Sequence, residues 1–134
     1  MHSLTSFNCK SILIAEDHDD TRETIEEALK AEGYAVYSSR NGEEALEQLG
    51  KIPGPALILL DLMMPVMNGW EFLDALKNES GHPDHKIVTL SAVPSTESLE
   101  DQTPLLIEGR LHKPIVLETL LATVRAHCGT TSLA

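Results

Sequence analysis

The hydrophobic positions of this chain form short, continuous apolar runs that alternate with stretches of helical period. Continuous runs rich in Ile, Leu and Val are typical of β-strands that are covered on both faces. On this basis strands are predicted at residues 11–15, 56–60 and 86–90. A second, shorter strand is predicted at residues 34–38 and a brief fifth strand at residues 110–112.

The stretches between these runs have the apolar spacing and end signals of α-helices. Asp20 is predicted as the N-cap of the first helix because Glu23 follows three residues later, as in a capping box. Gly33 is predicted to end that helix, and Asn41–Gly42 turns the chain into the second. Further helices are predicted at residues 69–78, 115–127 and, weakly because Pro104 interrupts it, 94–108. Five strand–helix repeats predict an α/β fold, a doubly wound parallel sheet with helices on both faces.

Composition narrows the class of protein. The 134 residues fit one domain, and at this size roughly two-thirds of the unfolded surface is buried on folding. A formal charge of −11 disfavours direct binding of nucleic acid, because phosphate contacts need clustered Lys and Arg. No run approaches the ~18 apolar residues of a membrane span, and the first ten residues lack the apolar core of a secretory signal. A cytoplasmic protein without a membrane partner is therefore predicted. Cys9 and Cys128 have no metal-ligand spacing and are predicted to be two reduced structural thiols.

Polar side chains follow the predicted strands at four places. Glu16–Asp17 follows the first strand, Asp61 the third, Ser91 the fourth and Lys113 the fifth. In doubly wound sheets, functional sites form at the carboxyl ends of the strands. The four places are therefore predicted to form one site.

The chemistry of these side chains suggests phosphoryl transfer. If the first and third strands are neighbours, three carboxylates converge, and two such charges at ~4 Å repel by about 4 kcal/mol at an effective dielectric of 20. A cation is needed, and hard oxygen ligands suit Mg²⁺. With the Ser91 hydroxyl and the Lys113 ammonium added, the set provides the positioning and charge neutralisation on which phosphoryl transfer depends.

Four segments of the sequence resemble the landmarks of response-regulator receiver domains of two-component signalling. They are ILIAEDHDD, LILLDLMMPVMNGWEF, IVTLSA and LHKP. The spacings of 44 residues from Asp17 to Asp61, 30 to Ser91 and 22 to Lys113 also suit this family. The resemblance implies a flavodoxin-like (βα)5 fold with strand order 2-1-3-4-5. It also implies an N-terminal extension at residues 1–9, a receiver domain at 10–128 and a C-terminal tail at 129–134.

The resemblance further implies a role for each site residue. Asp61 would accept a phosphoryl group from the phosphohistidine of a sensor histidine kinase or a histidine phosphotransfer protein. Asp17 and Asp61 would ligate Mg²⁺ directly, Glu16 through water and Met63 through its backbone carbonyl. Ser91 and Lys113 would contact the phosphoryl oxygens. The domain would be a signalling switch that catalyses its own phosphorylation and dephosphorylation, changing the surface formed by the fourth helix, fifth strand and fifth helix.

The sequence also departs from the usual pattern of the family. Arg110 stands three residues before Lys113, where many members have an aromatic residue. The fourth helix is flanked by Pro94 and interrupted by Pro104. The apolar residues Met63 and Val93, two positions beyond Asp61 and Ser91, lead us to hypothesise slow autodephosphorylation.

Two alternatives remain open at this stage. Asp17, Asp19 and Thr21 match the D-x-D-x-T nucleophile motif of haloacid-dehalogenase-type phosphatases, with Asp17 as nucleophile. That family needs a further acidic pair after the lysine, whereas only Glu118 follows Lys113. Asp19 and Asp20 are instead interpreted as helix caps, and His18 as a loop residue. The second alternative is a receiver used only for docking or dimerisation, without phosphorylation.

Overall fold

The computed structural model describes residues 9–78, 85–92 and 107–128, and these form one parallel sheet with helices on both faces. The strands are β1 (Ser11–Ala15), β2 (Ala35–Ser39), β3 (Ala56–Asp61), β4 (Lys86–Ser91) and β5 (Ile107–His112). The helices are α1 (Asp19–Ala31), α2 (Gly42–Leu49), α3 (Gly69–Asn78) and the C-terminal helix (Leu117–Cys128). The strand order is β2-β1-β3-β4-β5 with parallel pairing throughout, so the predicted fold class and strand order are confirmed.

The core has two halves, one on each face of the sheet. On one face, β1, β3 and β4 contribute side chains that pack with α1 and the C-terminal helix, represented by Ile12, Ile25 and Leu120. On the other face, α2 and α3 cover alternate residues of the same strands, represented by Leu13 and Phe72. The central strands bury both faces, which explains their continuous apolar sequence.

Three predictions need correction, and the first concerns the start of α1. The N-cap of α1 is His18, not Asp20, and the His18 Nδ1 accepts a hydrogen bond of 3.4 Å from the Thr21 N–H. His18 has extended backbone angles, and its own N–H donates to the Glu16 carboxylate at 3.0 Å. Asp19 lies in the first turn, where it pairs with Arg22. The predicted end of α1 is confirmed, since Gly33 has a φ of 101° and its N–H donates to the Lys30 carbonyl.

The second correction concerns β5. It begins at Ile107, three residues before the predicted strand, so Ile107 and Glu108 belong to β5 and not to the weakly predicted fourth helix. Cross-strand pairing with β4, which the sequence pattern does not display, extends the strand. The rest of that predicted helix, with Pro94, Pro104 and the preceding Val93, lies outside the described residues.

The third correction concerns the cysteines. Cys9 and Cys128 are not free thiols but are joined by a disulfide, with their Cα atoms 4.9 Å apart. They are 119 residues apart in the sequence, but both are buried in the same half of the core. The sheet brings the start of β1 next to the end of the C-terminal helix, and this proximity is a property of the fold alone.

Candidate functional site

The carboxyl edge of the sheet brings together three acidic side chains. Glu16 and Asp17 follow β1, and Asp61 is the last residue of the adjacent β3. One carboxylate oxygen from each lies within 4.8 Å of the others. Glu16 and Asp61 are buried, whereas Asp17 is exposed. The cluster thus has a closed side and a side open to solvent.

Lys113 supplies the positive charge next to this cluster. Its Nζ lies 2.9 Å from Glu16 Oε1 and 3.3 Å from Asp61 Oδ2. The contact with Oε1 is an ion pair without hydrogen-bond geometry, and the hydrogen bond goes to Glu16 Oε2 at 3.2 Å. Burial opposes the protonated form of Lys113, but its hydrogen bond to Glu16 and the charge of Asp61 outweigh this effect and raise its pKa. Lys113 therefore stays protonated and bridges two of the three acids.

Ser91 helps to place that lysine. It is the buried last residue of β4, and its backbone carbonyl accepts a hydrogen bond of 2.8 Å from the Lys113 N–H. The next peptide bond, Lys113–Pro114, is cis. Residues from β4 and from the segment after β5 therefore meet at the same edge as the three acids.

Asp61 is a buried carboxyl whose environment shifts its pKa. Burial raises its pKa from 3.8 to about 6, and the charge of Glu16 acts in the same direction. A hydrogen bond of 3.1 Å from the Met63 N–H to Asp61 Oδ1 and the Lys113 ammonium both oppose this rise. A buried carboxylate beside other acids favours the approach of a cation, which would stabilise its ionised form.

The donor set fits a hard divalent cation. Glu16, Asp17 and Asp61 are the group of acidic, His or Cys side chains that lie close enough to share an ion within the described part of the chain. All of their ligand atoms are carboxylate oxygens, and Mg²⁺ prefers such ligands together with water. The exposed Asp17 leaves room for water on the open side. The Met63 side chain is 59% exposed, and its backbone N–H contacts Asp61.

Arg22 is a residue at this edge that sequence reasoning missed. Its Nη1 donates to the Glu16 carbonyl at 3.0 Å, and its Nη2 pairs with Asp19 Oδ1 at 2.6 Å. These contacts fix the path of the chain between β1 and α1, where Asp17 lies. The available signal was an arginine one turn into the helix that follows an acidic run.

The phosphatase motif does not form a site of its own. Asp19 points to Arg22 and its side chain is 69% exposed, while the Thr21 hydroxyl contacts the ring of His18. Asp17 joins Asp61 rather than Asp19. The D-x-D-x-T match therefore arises from the junction of β1 and α1, and that interpretation fails.

A match to a known protein family identifies this chain. The family described as the response regulator receiver domain matches residues 12–125. The chain belongs to the response-regulator receiver family. The predicted resemblance of the four segments to receiver domains of two-component signalling is confirmed.

Individual relatives extend this result. The polar-differentiation response regulator DivK of Brucella anthropi is 28% identical over 120 residues, which cover 90% of this chain and 97% of that protein. Response regulator RR06 of Streptococcus pneumoniae is 32% identical, covering 87% of this chain and 52% of RR06. Transcriptional regulatory protein HprR of Escherichia coli is 34% identical, covering 86% and 50%. The chain spans about half the length of the latter two relatives.

A solved structure agrees with the sequence relatives. The chemotaxis response regulator CheY4 of Vibrio cholerae superposes with a TM-score of 0.79 at 30% sequence identity. The superposition covers 90% of this chain and 99% of that chain. Among the described residues of the present receiver domain, no helix is long and apolar enough to cross a membrane.

Proposed function

We propose that the receiver domain accepts a phosphoryl group on Asp61 in a Mg²⁺-dependent reaction and acts as a signalling switch. The observation that supports this proposal is that Asp61 lies close both to negatively charged carboxylates and to a positively charged ammonium. It lies within 4.8 Å of two other carboxylates and 3.3 Å from the Lys113 ammonium. A carboxylate that lies beside both a candidate cation site and an ammonium is suited to attack a negatively charged phosphoryl group.

Each residue has a separate task in this reaction. Asp61 attacks phosphorus through a carboxylate oxygen, and the bond from phosphorus to the donor nitrogen breaks. Glu16, Asp17, Asp61 and the Met63 carbonyl would hold Mg²⁺, Glu16 through water. The ion would supply positive charge that neutralises the phosphoryl oxygens. The Lys113 ammonium moves from the acids to one phosphoryl oxygen, and the Ser91 hydroxyl donates to another.

The Met63 N–H orients the nucleophile. It donates to Asp61 Oδ1, while Lys113 contacts Oδ2, so the two carboxylate oxygens have different partners. This asymmetry fixes the rotation of the carboxylate before a donor arrives. Fixed orientation lowers the entropic part of the barrier, and positioning is, together with charge neutralisation, what a phosphotransfer site contributes.

The proposed donor is the phosphohistidine of a sensor histidine kinase or a histidine phosphotransfer protein. A cleft of about 280 Å³ lies beside Lys113, between α1 and the segment after β5. Thr21 and Asp20 contribute polar groups to it, and Ile25, Ile115 and Leu117 contribute apolar ones. Such a mixed surface, beside the lysine that contacts the reacting carboxylate, gives a protein donor a place to dock.

The test is phosphorylation by a small-molecule donor. The protein is incubated with acetyl phosphate and Mg²⁺, and intact mass is measured for wild type, Asp61→Asn and Asp74→Asn. Asp74 is an exposed aspartate of α3 and serves as the matched control. Wild type and Asp74→Asn are expected to gain one phosphoryl group, and Asp61→Asn none.

Two results would contradict the proposal. Equal labelling of Asp61→Asn would place the acceptor elsewhere. A wild type that gains no mass, and shows no spectral response to the phosphoryl mimic beryllofluoride, would instead identify a docking or dimerisation receiver that is not phosphorylated.

A further inference from the structure

The segment between β3 and α3, residues 62–68, has an unusual backbone path and is named here the β3–α3 loop. It carries Met63, whose N–H orients Asp61. The Met67 N–H donates to the Pro65 carbonyl at 2.7 Å, which closes a tight turn around Val66. Beyond the turn, the Gly69 N–H donates to the Leu62 carbonyl at 3.1 Å. The loop is therefore short, closed by hydrogen bonds and attached directly to the acidic site.

Val66 makes this turn strained. Its φ is 70°, a value that β-branched residues avoid because the side chain crowds the backbone. Three-residue turns with positive φ at the centre are rare and strained in their own right. The Val66 side chain is 74% exposed, so its own packing does not compensate for the strain. Such a conformation persists when neighbouring structure holds it in place.

Gly42, the first residue of α2, provides that neighbouring structure. Its N–H donates to the Met67 carbonyl at 2.8 Å. A Cβ at this position would lie 2.9 Å from the Met67 carbonyl oxygen and 2.7 Å from Met67 Cγ. Both distances are shorter than real Cβ contacts, and one involves backbone that does not yield without moving the loop. The close approach of α2 to the loop therefore requires glycine.

The position of Gly42 is itself fixed. The Asn41 side chain caps α2 by accepting a hydrogen bond of 2.8 Å from the Glu44 N–H, and Gly42 is buried. Because α2 packs on α3 and on the sheet, its first turn is a rigid support for the loop. A side chain added at Gly42 would therefore displace Met67 and the loop, and not the first turn of α2.

We propose that Gly42 is a positioning residue for Asp61, holding the strained β3–α3 loop in the path that directs the Met63 N–H at the carboxylate. This inference rests on the proposed phosphorylation of Asp61 for its effect on rate. The structural part, from Gly42 through Met67 to Met63, stands independently of it.

The test compares Gly42→Ala with Gly54→Ala. Gly54 has open space where a Cβ would be added, so it controls for the loss of glycine itself. Labelling rates with acetyl phosphate are measured at saturating Mg²⁺, at a temperature where circular dichroism shows every variant to be folded. Gly42→Ala is expected to label about tenfold more slowly, because small misplacements of reacting groups have effects of this size or larger. Gly54→Ala is expected to stay within about twofold of wild type.

Two further measurements separate positioning from general packing. Amide hydrogen exchange at Met63, followed by NMR without any phosphodonor, is expected to accelerate in Gly42→Ala and not in Gly54→Ala. The double variant Gly42→Ala/Met67→Ala removes the Cγ and Sδ contacts but leaves the carbonyl contact. It is expected to recover part of the lost rate.

The outcomes distinguish the two proposals. If wild type is labelled and Gly42→Ala labels like Gly54→Ala, with unchanged exchange at Met63, the positioning role is wrong even when the variant is less stable. If wild type is not labelled, the proposed function fails, and Met63 exchange alone decides the structural claim: unchanged exchange overturns it, and faster exchange supports it.

Discussion

The two ends of β1 differ in the kind of interaction that their residues make. At the start, Cys9 is joined to Cys128, and the Lys10 carbonyl accepts a hydrogen bond of 2.9 Å from the Ala35 N–H. At the other end, Glu16 and Asp17 meet Asp61, and among the described residues Lys113 is the cation whose Nζ pairs with the cluster. One end is cross-linked and the other carries an excess of negative charge.

The cross-linked end of β1 contributes stability and the acidic end carries the candidate chemistry, although the strand has only five residues. Residues 12–15 are fully buried, so the strand itself is held firmly by the core. Functional sites commonly break local rules of charge and strain, and stable structure elsewhere compensates for them. In this receiver domain the compensating structure includes a covalent link at the opposite end of the same strand.

The largest effect is expected from breaking the cross-linked end. Cys128→Ala is expected to lower the free energy of unfolding by about 4 kcal/mol, because the disulfide closes a long loop in the unfolded chain. Urea denaturation measures this change. A reducing agent should produce a similar loss in wild type and none in Cys128→Ala. Equal stability of oxidised and reduced wild type would show that the disulfide does not support this end.

The next effect concerns the charge balance of the other end. Lys113→Met leaves Glu16 and Asp61 buried without their ammonium, and is expected to destabilise the metal-free protein by about 2 to 3 kcal/mol. Adding Mg²⁺ should reduce the difference in the free energy of unfolding between Lys113→Met and wild type. Lys77→Met, at an exposed position of α3, is the matched control. If both variants unfold at the same urea concentration, Lys113 does not compensate the cluster.

A smaller effect is expected from removing one acid. Asp61→Asn should stabilise the metal-free protein at pH 7 by about 1 to 2 kcal/mol, because it removes a buried charge beside Glu16. The pKa of Asp61 is about 6 in the folded protein, above its ordinary value of 3.8.

The direction of the pH dependence follows from these values. Between pH 3.8 and 6 the folded state binds more protons at Asp61 than the unfolded state, so this contribution to stability is present at low pH and lost as pH rises through about 6. Denaturation measured across this range should show that the free energy of unfolding falls as pH rises in metal-free wild type and Asp74→Asn. The same quantity should depend less on pH in Asp61→Asn. Identical slopes for all three proteins would rule out the raised pKa.

The smallest effect is expected from relieving the strained turn. Val66→Gly should stabilise the protein by about 0.5 kcal/mol, since the gain at positive φ is partly offset by the greater freedom of glycine in the unfolded chain. Val116→Gly is the control, because Val116 is also exposed but lies outside the left-handed region. Equal changes in the two variants would mean that Val66 is not strained.

Most of the fold and the candidate site could be predicted from local sequence signals. Continuous apolar runs predicted β1, β3 and β4, because residues buried on both faces leave such a pattern. β2 and β5 are less buried and were predicted from shorter segments. The site residues were found because each follows a predicted strand: Glu16, Asp17, Asp61, Ser91 and Lys113. Their roles as ligand, nucleophile or phosphoryl contact stay predictions until phosphorylation is measured.

The errors share one physical cause. His18 rather than Asp20 caps α1 because its N–H donates to the Glu16 carboxylate, and Asp19, the other predicted cap, pairs with Arg22. β5 begins early because β4 offers it partners. Each depends on a specific partner, near in the chain for His18 and on the neighbouring strand for β5, and propensities of single residues carry no record of such partners.

The sequence by itself determined the alternation of strands and helices, the excess of acidic residues and the order of the polar residues that follow the strands. Hydrophobic periodicity and chain order express these features directly. Only the tertiary structure decided which acids meet, which carboxylate oxygen faces Lys113, how Gly42 supports the β3–α3 loop and that Cys9 and Cys128 join. These features depend on distances of a few ångströms between residues far apart in the chain. The packing of the sheet against its helices sets those distances.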